Sequence, residues 1–424
     1  MNQKLRIIVS GLIAQHRLLG GVAWGVLDWL IGLTRLGHDV YYIEDSGEWP
    51  YNLDGGPLGN DWIAYDCTPN VDHLNRIMSR FGLSDKWAYR FPIQPQWYGL
   101  SDSKRRELLR SADLLINKSG VIEHPELYRE IPRLIYIDTD PVFTQIEILQ
   151  GETDLKRRVD VHDLHFTYGE CLPQSLSATG HNWLPLRQPI PLAEWRTSAQ
   201  PRDAFTTVMN WTSYKPLSYA GENYGQKDLE FKRFLELPGM VPASVLEVAL
   251  PRLQHKRWQS TYTDLPASVI RLLQENPDLK PPELLSKCGW RVIDAIEVGS
   301  DLDSYRQYIQ SSKAEWSIAK NGYVKGYAGW FSNRSAIYLA AGRPVVVQDT
   351  GFEPVLPVGR GILTFRTIEE AAAAINDVEG NYSKHAQAAR EIAEEFFDSD
   401  KVLNRLIERV FSSDTTVATA DSHA

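Results

Sequence analysis

From Gly326 to Gly351 the chain reads GYAGWFSNRSAIYLAAGRPVVVQDTG, an order of signals that few architectures can satisfy. Polar Ser332, Asn333, Arg334 and Ser335 follow a glycine loop at Ala328-Gly329 and precede apolar Ile337, Leu339, Ala340 and Ala341. The spacing predicts a helix whose first turn offers unpaired N–H groups, hydroxyls and a guanidinium. Gly342 ends that helix and Arg343-Pro344 turns the chain. Val345-Val346-Val347 is uniformly apolar, as a strand buried on both faces must be, and leads into the polar loop Gln348, Asp349, Thr350, Gly351. A helix tip beside the end of a parallel strand suits a diphosphate, with a sugar near the strand's end.

The rest of the chain repeats this alternation. A strand over 5–13, a helix over 21–36 ending at Gly37-His38, and a strand over 40–43 finishing in Glu44-Asp45 make a βαβ unit. An irregular Gly/Pro/Trp-rich stretch runs from 46 to 100. A helix over 104–111 and strands over 113–117, 133–138 and 165–168 complete the first half. Pro185, Pro189, Pro191 and Pro201 interrupt the periodicity and mark a linker. Beyond it come strands over 206–211, 290–296, 316–319 and 362–365, with helices over 229–235, 302–311, 368–375 and 385–397. Asp398-Ser399-Asp400 caps a last helix reaching 411. The expected class is α/β, with two doubly wound Rossmann-like domains facing a cleft. Their bounds are 1–190 and 205–397, joined by a linker over 191–204, with a terminal helix over 398–411 and a small polar, disordered tail over 412–424.

At 424 residues the chain exceeds one ordinary core and suits two. A net charge of -9 gives no general attraction to nucleic acid or anionic lipid, so phosphate binding must be local. Cys67, Cys171 and Cys288 lie far apart in no CxxC pattern, which fits a reducing, cytoplasmic setting without disulfides or structural zinc. Ile7 to Ala14 is apolar, but Gln15-His16-Arg17 and the following glycines suit a first buried strand better than a signal peptide. No stretch is long enough to span a membrane, although Trp24, Trp29 and nearby aliphatics could make peripheral membrane contact. No Walker A sequence or GxGxxG fingerprint supports ATP hydrolysis or hydride transfer.

AxGxPVV followed by a TG loop (Ala340, Gly342, Pro344, Val345, Val346, Thr350, Gly351) resembles the nucleotide-sugar site of the family 4-like glycosyltransferases of GT-B fold. Gly20-Gly21, a helix, and then GHDV from Gly37 resemble that group's acceptor-side entry. The resemblance implies a glycosyltransferase with an acceptor-binding first domain, a nucleotide-sugar-binding second domain, and no metal or other cofactor. Its partners would be a nucleotide sugar and an acceptor, with no nucleic acid. A sugar-nucleotide epimerase of the same fold and a non-catalytic nucleotide-sugar-binding protein are the alternatives. The group's two glutamates, with seven residues between them, align here with Gly329 and Ile337, so neither supplies a carboxylate.

Within that frame His16, just past the first strand, is the expected general base, with Asp138 or Asp140 orienting or replacing it. Gly20 and Gly21 would let the backbone approach a ligand at the next helix, or simply make the turn. Donor contacts are expected from Lys227, Lys320, Asn321, Gly329, Ser332, Asn333, Arg334, Ser335, Thr350 and Gly351. Each competes with a plainer role in capping, turn formation or surface solvation. Asp160, His162, Asp163 and His165 form a metal-like cluster, but a strand would send its members to opposite faces, leaving an incomplete ligand set.

Overall fold

A computed structural model describes residues 4–50, 66–94, 96–251 and 265–412. The expected tail beyond Ser412 lies outside the described residues. The first sheet holds β1 (Arg6–Ser10), β2 (Asp39–Glu44), β3 (Trp87–Phe91), β4 (Gln96–Gly99), β5 (Leu114–Lys118), β6 (Arg133–Asp138), β7 (Leu164–Thr167) and β8 (Trp183–Pro185). Its order is β4-β3-β2-β1-β5-β6-β7-β8, parallel throughout except for the β3–β4 hairpin. The second sheet holds β9 (Phe205–Val208), β12 (Leu246–Leu250), β13 (Arg291–Asp294), β14 (Ala314–Ser317), β15 (Val345–Gln348) and β16 (Ile362–Phe365), in the order β13-β12-β9-β14-β15-β16. A small hairpin, β10 (Leu217–Tyr219) and β11 (Glu222–Tyr224), stands apart. Each large sheet is doubly wound, its strand order reversing at β1/β5 and at β9/β14.

The central strands are buried over almost every residue, which is why they read as apolar runs rather than alternations. Sequence periodicity misses elements where polar residues interrupt them. Strand β12 (LEVAL) carries Glu247 inside its run, buried and neutralised by Arg202 at 2.7 Å. The irregular stretch contains a helix, Thr68–Arg80, that buries only four side chains, besides β3 and β4. The expected strand over 290–296 is shorter, because Asp294 caps a following helix, Ala295–Gly299.

The two halves do not have wholly separate cores. Each has its own outer cluster, but the largest cluster joins Ile7, Val9, Trp24 and Leu30 of the first sheet's side to Leu302, Phe331, Ile337 and Val345 of the second. The Gly20–Arg35 helix is the keel of this junction. A Cβ on Gly20 would meet the Asp301 carbonyl oxygen at 2.5 Å, one on Gly21 the Tyr305 ring at 3.1 Å, and one on Gly32 would meet Leu403 at 2.5 Å. Glycines along this helix therefore let the Leu302–Ser311 and Ser399–Phe411 helices approach it closely. Gly20 thus meets protein backbone from the other half, which corrects its expected approach to a ligand. Trp24 Nε1 donates to the Leu302 carbonyl at 2.9 Å across the same junction. Ile190, in the connecting segment, donates to Phe397 and accepts from Ser399, tying that segment to the start of the last helix.

Candidate active site

A cleft of about 310 Å³ opens at the β9/β14 switch point of the second sheet, where ligands gather in doubly wound folds. Val208, Met209 and Asn210 line it from the end of β9, and Lys320 and Tyr323 from beyond β14. Ser332 and Arg334 enter from the Asn333–Ala340 helix, while Leu19, Gly21 and Val22 close it from the first domain. Tyr323 and Trp330 stack at 4.1 Å on one wall, a flat surface suited to a sugar or base.

Lys227 and Gln226 also line this cleft, at the start of a short helix. Lys227 makes no hydrogen bond or ion pair among the described residues, and Gln226 Nε2 is buried without a well-formed bond. Burial, reinforced by Arg334 and Lys320, holds the Lys227 ammonium well below the ordinary lysine range. A bound anion would reverse that shift.

Arg334 is more committed than its sequence position implies. Its Nε donates to Glu315 at 2.6 Å, Nη1 to the Val208 carbonyl at 2.8 Å, and Nη2 to Ser317 Oγ. The guanidinium cross-links β9, β14 and its own helix, leaving its contribution to the cleft mainly one of charge. Asn333 turns away, donating to Asp28 of the first domain at 3.3 Å. Asn321 bonds Gly225 and the buried carboxylate of Glu230. Thr350 accepts no role in the cleft: its hydroxyl bonds the Trp330 carbonyl, and its own carbonyl accepts from Gly329 at 2.8 Å. Gly351, at φ +93, lies against Tyr327, where a Cβ would come within 2.8 Å of a carbonyl oxygen. Ser335 is buried beside Ser317 and Thr350 around a void of about 20 Å³. Of the expected donor residues, Lys227, Lys320, Ser332 and Arg334 line one cleft, whereas the side chains of Asn321, Asn333 and Thr350 bond within the protein and Gly351 packs against Tyr327.

Gly329, one of the two positions where the resemblance leads one to expect a glutamate, is tightly enclosed. It has φ +74, and a Cβ there would lie 2.8 Å from Cys171 of the first domain, whose N–H bonds the Ala328 carbonyl. Ile337 is fully buried in the shared core. Neither position has room or solvent for a carboxylate.

None of the three expected catalytic groups lines the cleft. Asp138 is buried and accepts from Thr144, Gln145 and Thr167, each at 2.8 Å, and burial raises its pKa. Asp140 binds Lys320 Nζ through both oxygens and accepts from the hydroxyls of Tyr214 and Tyr323. His16 does not line the cleft, and burial lowers its pKa to about 4. Its loop is instead held by Glu44, which accepts from the N–H groups of Ala14 and Gln15 at 2.8 and 2.7 Å. The metal-like residues diverge: His162 bonds Asn117, His165 the Val159 carbonyl, Asp160 Lys156, and Asp163 Arg129. Among the described residues no group of three such side chains could hold a metal ion. Nor is any described helix long and apolar enough to cross a membrane.

Gln226, Tyr214, Tyr323 and Trp330 were missed by sequence reasoning. A polar loop after β9, at a switch point, was the available signal for Asn210 and Tyr214.

By sequence, the chain matches no protein-family model and no curated protein. By structure it is similar to HepE from Anabaena in complex with UDP-glucose, with TM-score 0.56 and 12% identity over 96% of this chain and 100% of that one. An alpha-glucosyltransferase bound to UDP and a 13-mer DNA gives TM-score 0.56 and 12% identity, over 96% and 100% of the two chains. Identity this low speaks for the fold, and the fold is the GT-B arrangement of two Rossmann-like domains around a cleft.

Proposed function

We propose that this protein is a glycosyltransferase that moves a sugar from a nucleoside diphosphate sugar to a hydroxyl acceptor, with UDP-glucose the first donor to test. The observation that carries this reading is Lys227, without a hydrogen bond or ion pair among the described residues, at the switch-point cleft into which Ser332 and the Asn333–Ala340 helix tip project. A dianionic diphosphate satisfies all of them. UDP-glucose and UDP are the ligands of the two structural neighbours, which is why uridine donors come first.

Lys227, with the tip of the Asn333–Ala340 helix, supplies the positive charge that a divalent ion supplies in other transferases, so the reading needs no metal. Ser332 and the backbone of the helix tip orient the phosphates, and the Tyr323–Trp330 stack presents a flat wall to the sugar or base. With Asp138 and Asp140 committed to internal bonds and His16 off the cleft, we take the departing phosphate oxygen as the base. It gains the bonding pair as the sugar–phosphate bond breaks and takes the acceptor's proton while the acceptor oxygen bonds the anomeric carbon on the same face, so the anomeric configuration is retained. A net charge of -9 gives no general attraction to nucleic acid, so hydroxyl compounds that are not polyanions are the first acceptors to test. The cytoplasm, which supplies nucleotide sugars, is the compartment that fits three free cysteines.

A thermal-shift screen of UDP, GDP, ADP and their glucose conjugates tests the donor reading. A ligand at a hundredfold its dissociation constant should stabilise by about 2.7 kcal/mol. No shift with any of them would defeat it. Slow donor hydrolysis without acceptor, followed by proton NMR of the released sugar, would separate a transferase from a binding protein and report the anomer first formed.

A further inference from the structure

The first sheet has its own switch point, between β1 and β5, and the last residue of β5 is Lys118. The four residues before it are buried and Lys118 is half-buried. It makes no hydrogen bond or ion pair among the described residues. Its nearest charge relationship is with Asp28 on the Gly20–Arg35 helix, yet Asp28 is fully buried, accepts from Asn333 Nδ2 at 3.3 Å, and leaves its other oxygen without a well-formed bond. Gly25, on the same helix, leaves space at this point: a Cβ there would lie 3.8 Å from Lys118 Nζ and 3.9 Å from Asn333 Nδ2. The ammonium of the first domain therefore stands beside the opening residue of the helix whose tip faces the donor cleft.

A half-buried ammonium with no hydrogen bond or ion pair among the described residues is costly to keep charged, and burial, only partly offset by the Asp28 carboxylate, lowers the Lys118 pKa to about 8. Such a group at a strand's carboxyl end, facing a helix tip across a domain junction, is placed to receive an anion from the opposite domain. Taking the donor reading above as its basis, we propose that Lys118 is the first domain's contribution to the donor site, pairing with the phosphate farthest from the nucleoside. The nucleoside end belongs to the second domain, where Pro251, Ala295 and Gly299 line the cleft. A cation reaching in from the first domain meets the sugar-bearing end, so the anion site is complete only when the two domains lie together.

Isothermal titration of wild type, Lys118→Met and Lys118→Arg with UDP and UMP tests this. Lys118→Met should weaken UDP by about tenfold or more while changing UMP by less than about twofold, and Lys118→Arg should restore most of the UDP affinity. Asp28→Asn removes the carboxylate that competes for the ammonium and should leave UDP binding unchanged or tighter. Equal UDP affinity in wild type and Lys118→Met, or a weakening of UDP by Asp28→Asn equal to that by Lys118→Met, would overturn the assignment while the donor reading stands. Failure of wild type to bind UDP or any other nucleoside diphosphate would overturn both.

Discussion

Asp140, just beyond the end of β6, and Lys320, beyond β14, join the two domains through a carboxylate–ammonium pair at 2.9 Å. The Lys320 ammonium also lies over the rings of Tyr214, Phe143 and Tyr323, 4.6, 5.1 and 5.2 Å from their centroids. Two residues expected to serve substrate from opposite sides therefore neutralise one another. Asp140→Asn should release the charge of Lys320 toward the cleft and tighten UDP binding by roughly threefold to tenfold, because an opposing charge is removed from beside the site. Unchanged affinity by calorimetry would show that Lys320 belongs to the domain junction alone.

Arg334 should behave as a structural residue before it behaves as a ligand. Its partner Glu315 is fully buried, with one oxygen already lacking a bond, so Arg334→Ala strands a carboxylate in the core. Breaking such a pair typically costs about 3–5 kcal/mol. Urea unfolding should show a loss of that order for the single variant, and a much smaller loss when Glu315→Gln accompanies it. A fully stable Arg334→Ala protein with weakened UDP binding would return Arg334 to the donor.

The helix-loop-strand segment from 326 to 351 was legible in the sequence because burial on both faces leaves an uninterrupted apolar run, and because Gly342 ends its helix at φ +68 as a left-handed terminus requires. What the sequence could not reveal was which polar groups are consumed by the opposite domain. Asn333, Gly329, Asp140 and Gly20 each meet at least one residue more than 150 positions away (Asp28, Cys171, Lys320 and Asp301), and no local spacing encodes such pairs.

Gly329 makes the same point as an experiment. Restoring the resembled group's glutamate by Gly329→Glu should not create or raise activity. It should destabilise the protein by at least about 1–3 kcal/mol, since a side chain there needs both a left-handed backbone and space taken by Cys171. The melting temperature of Gly329→Ala beside that of Gly329→Glu separates backbone strain from added bulk. A stable Gly329→Glu variant with raised donor turnover would mean that the loop rearranges to accept the carboxylate.

The loop carrying His16 should show opposing pH responses. Burial raises Glu44 from its ordinary 4.5 to about 7, despite bonds from Tyr42, Ala14 and Gln15. A carboxyl that titrates higher when folded stabilises most below its unfolded value, and this contribution falls away as pH rises from about 4.5 to 7. His16 is displaced the other way, from 6.5 to about 4, so its contribution is present above 6.5 and is lost as pH falls toward 4. Each proton changes the slope by at most about 1.4 kcal/mol per pH unit, and over much of this window the two slopes oppose one another. Glu44→Gln removes the falling limb, so its stability, measured by urea unfolding between pH 4.5 and 6.5, should climb more steeply with pH than that of wild type. His16→Asn should do the reverse. Parallel profiles for all three proteins would mean that the Glu44 carboxyl and the His16 ring titrate as they do in the unfolded chain, and that the bonds to Ala14 and Gln15 do not bury the charge.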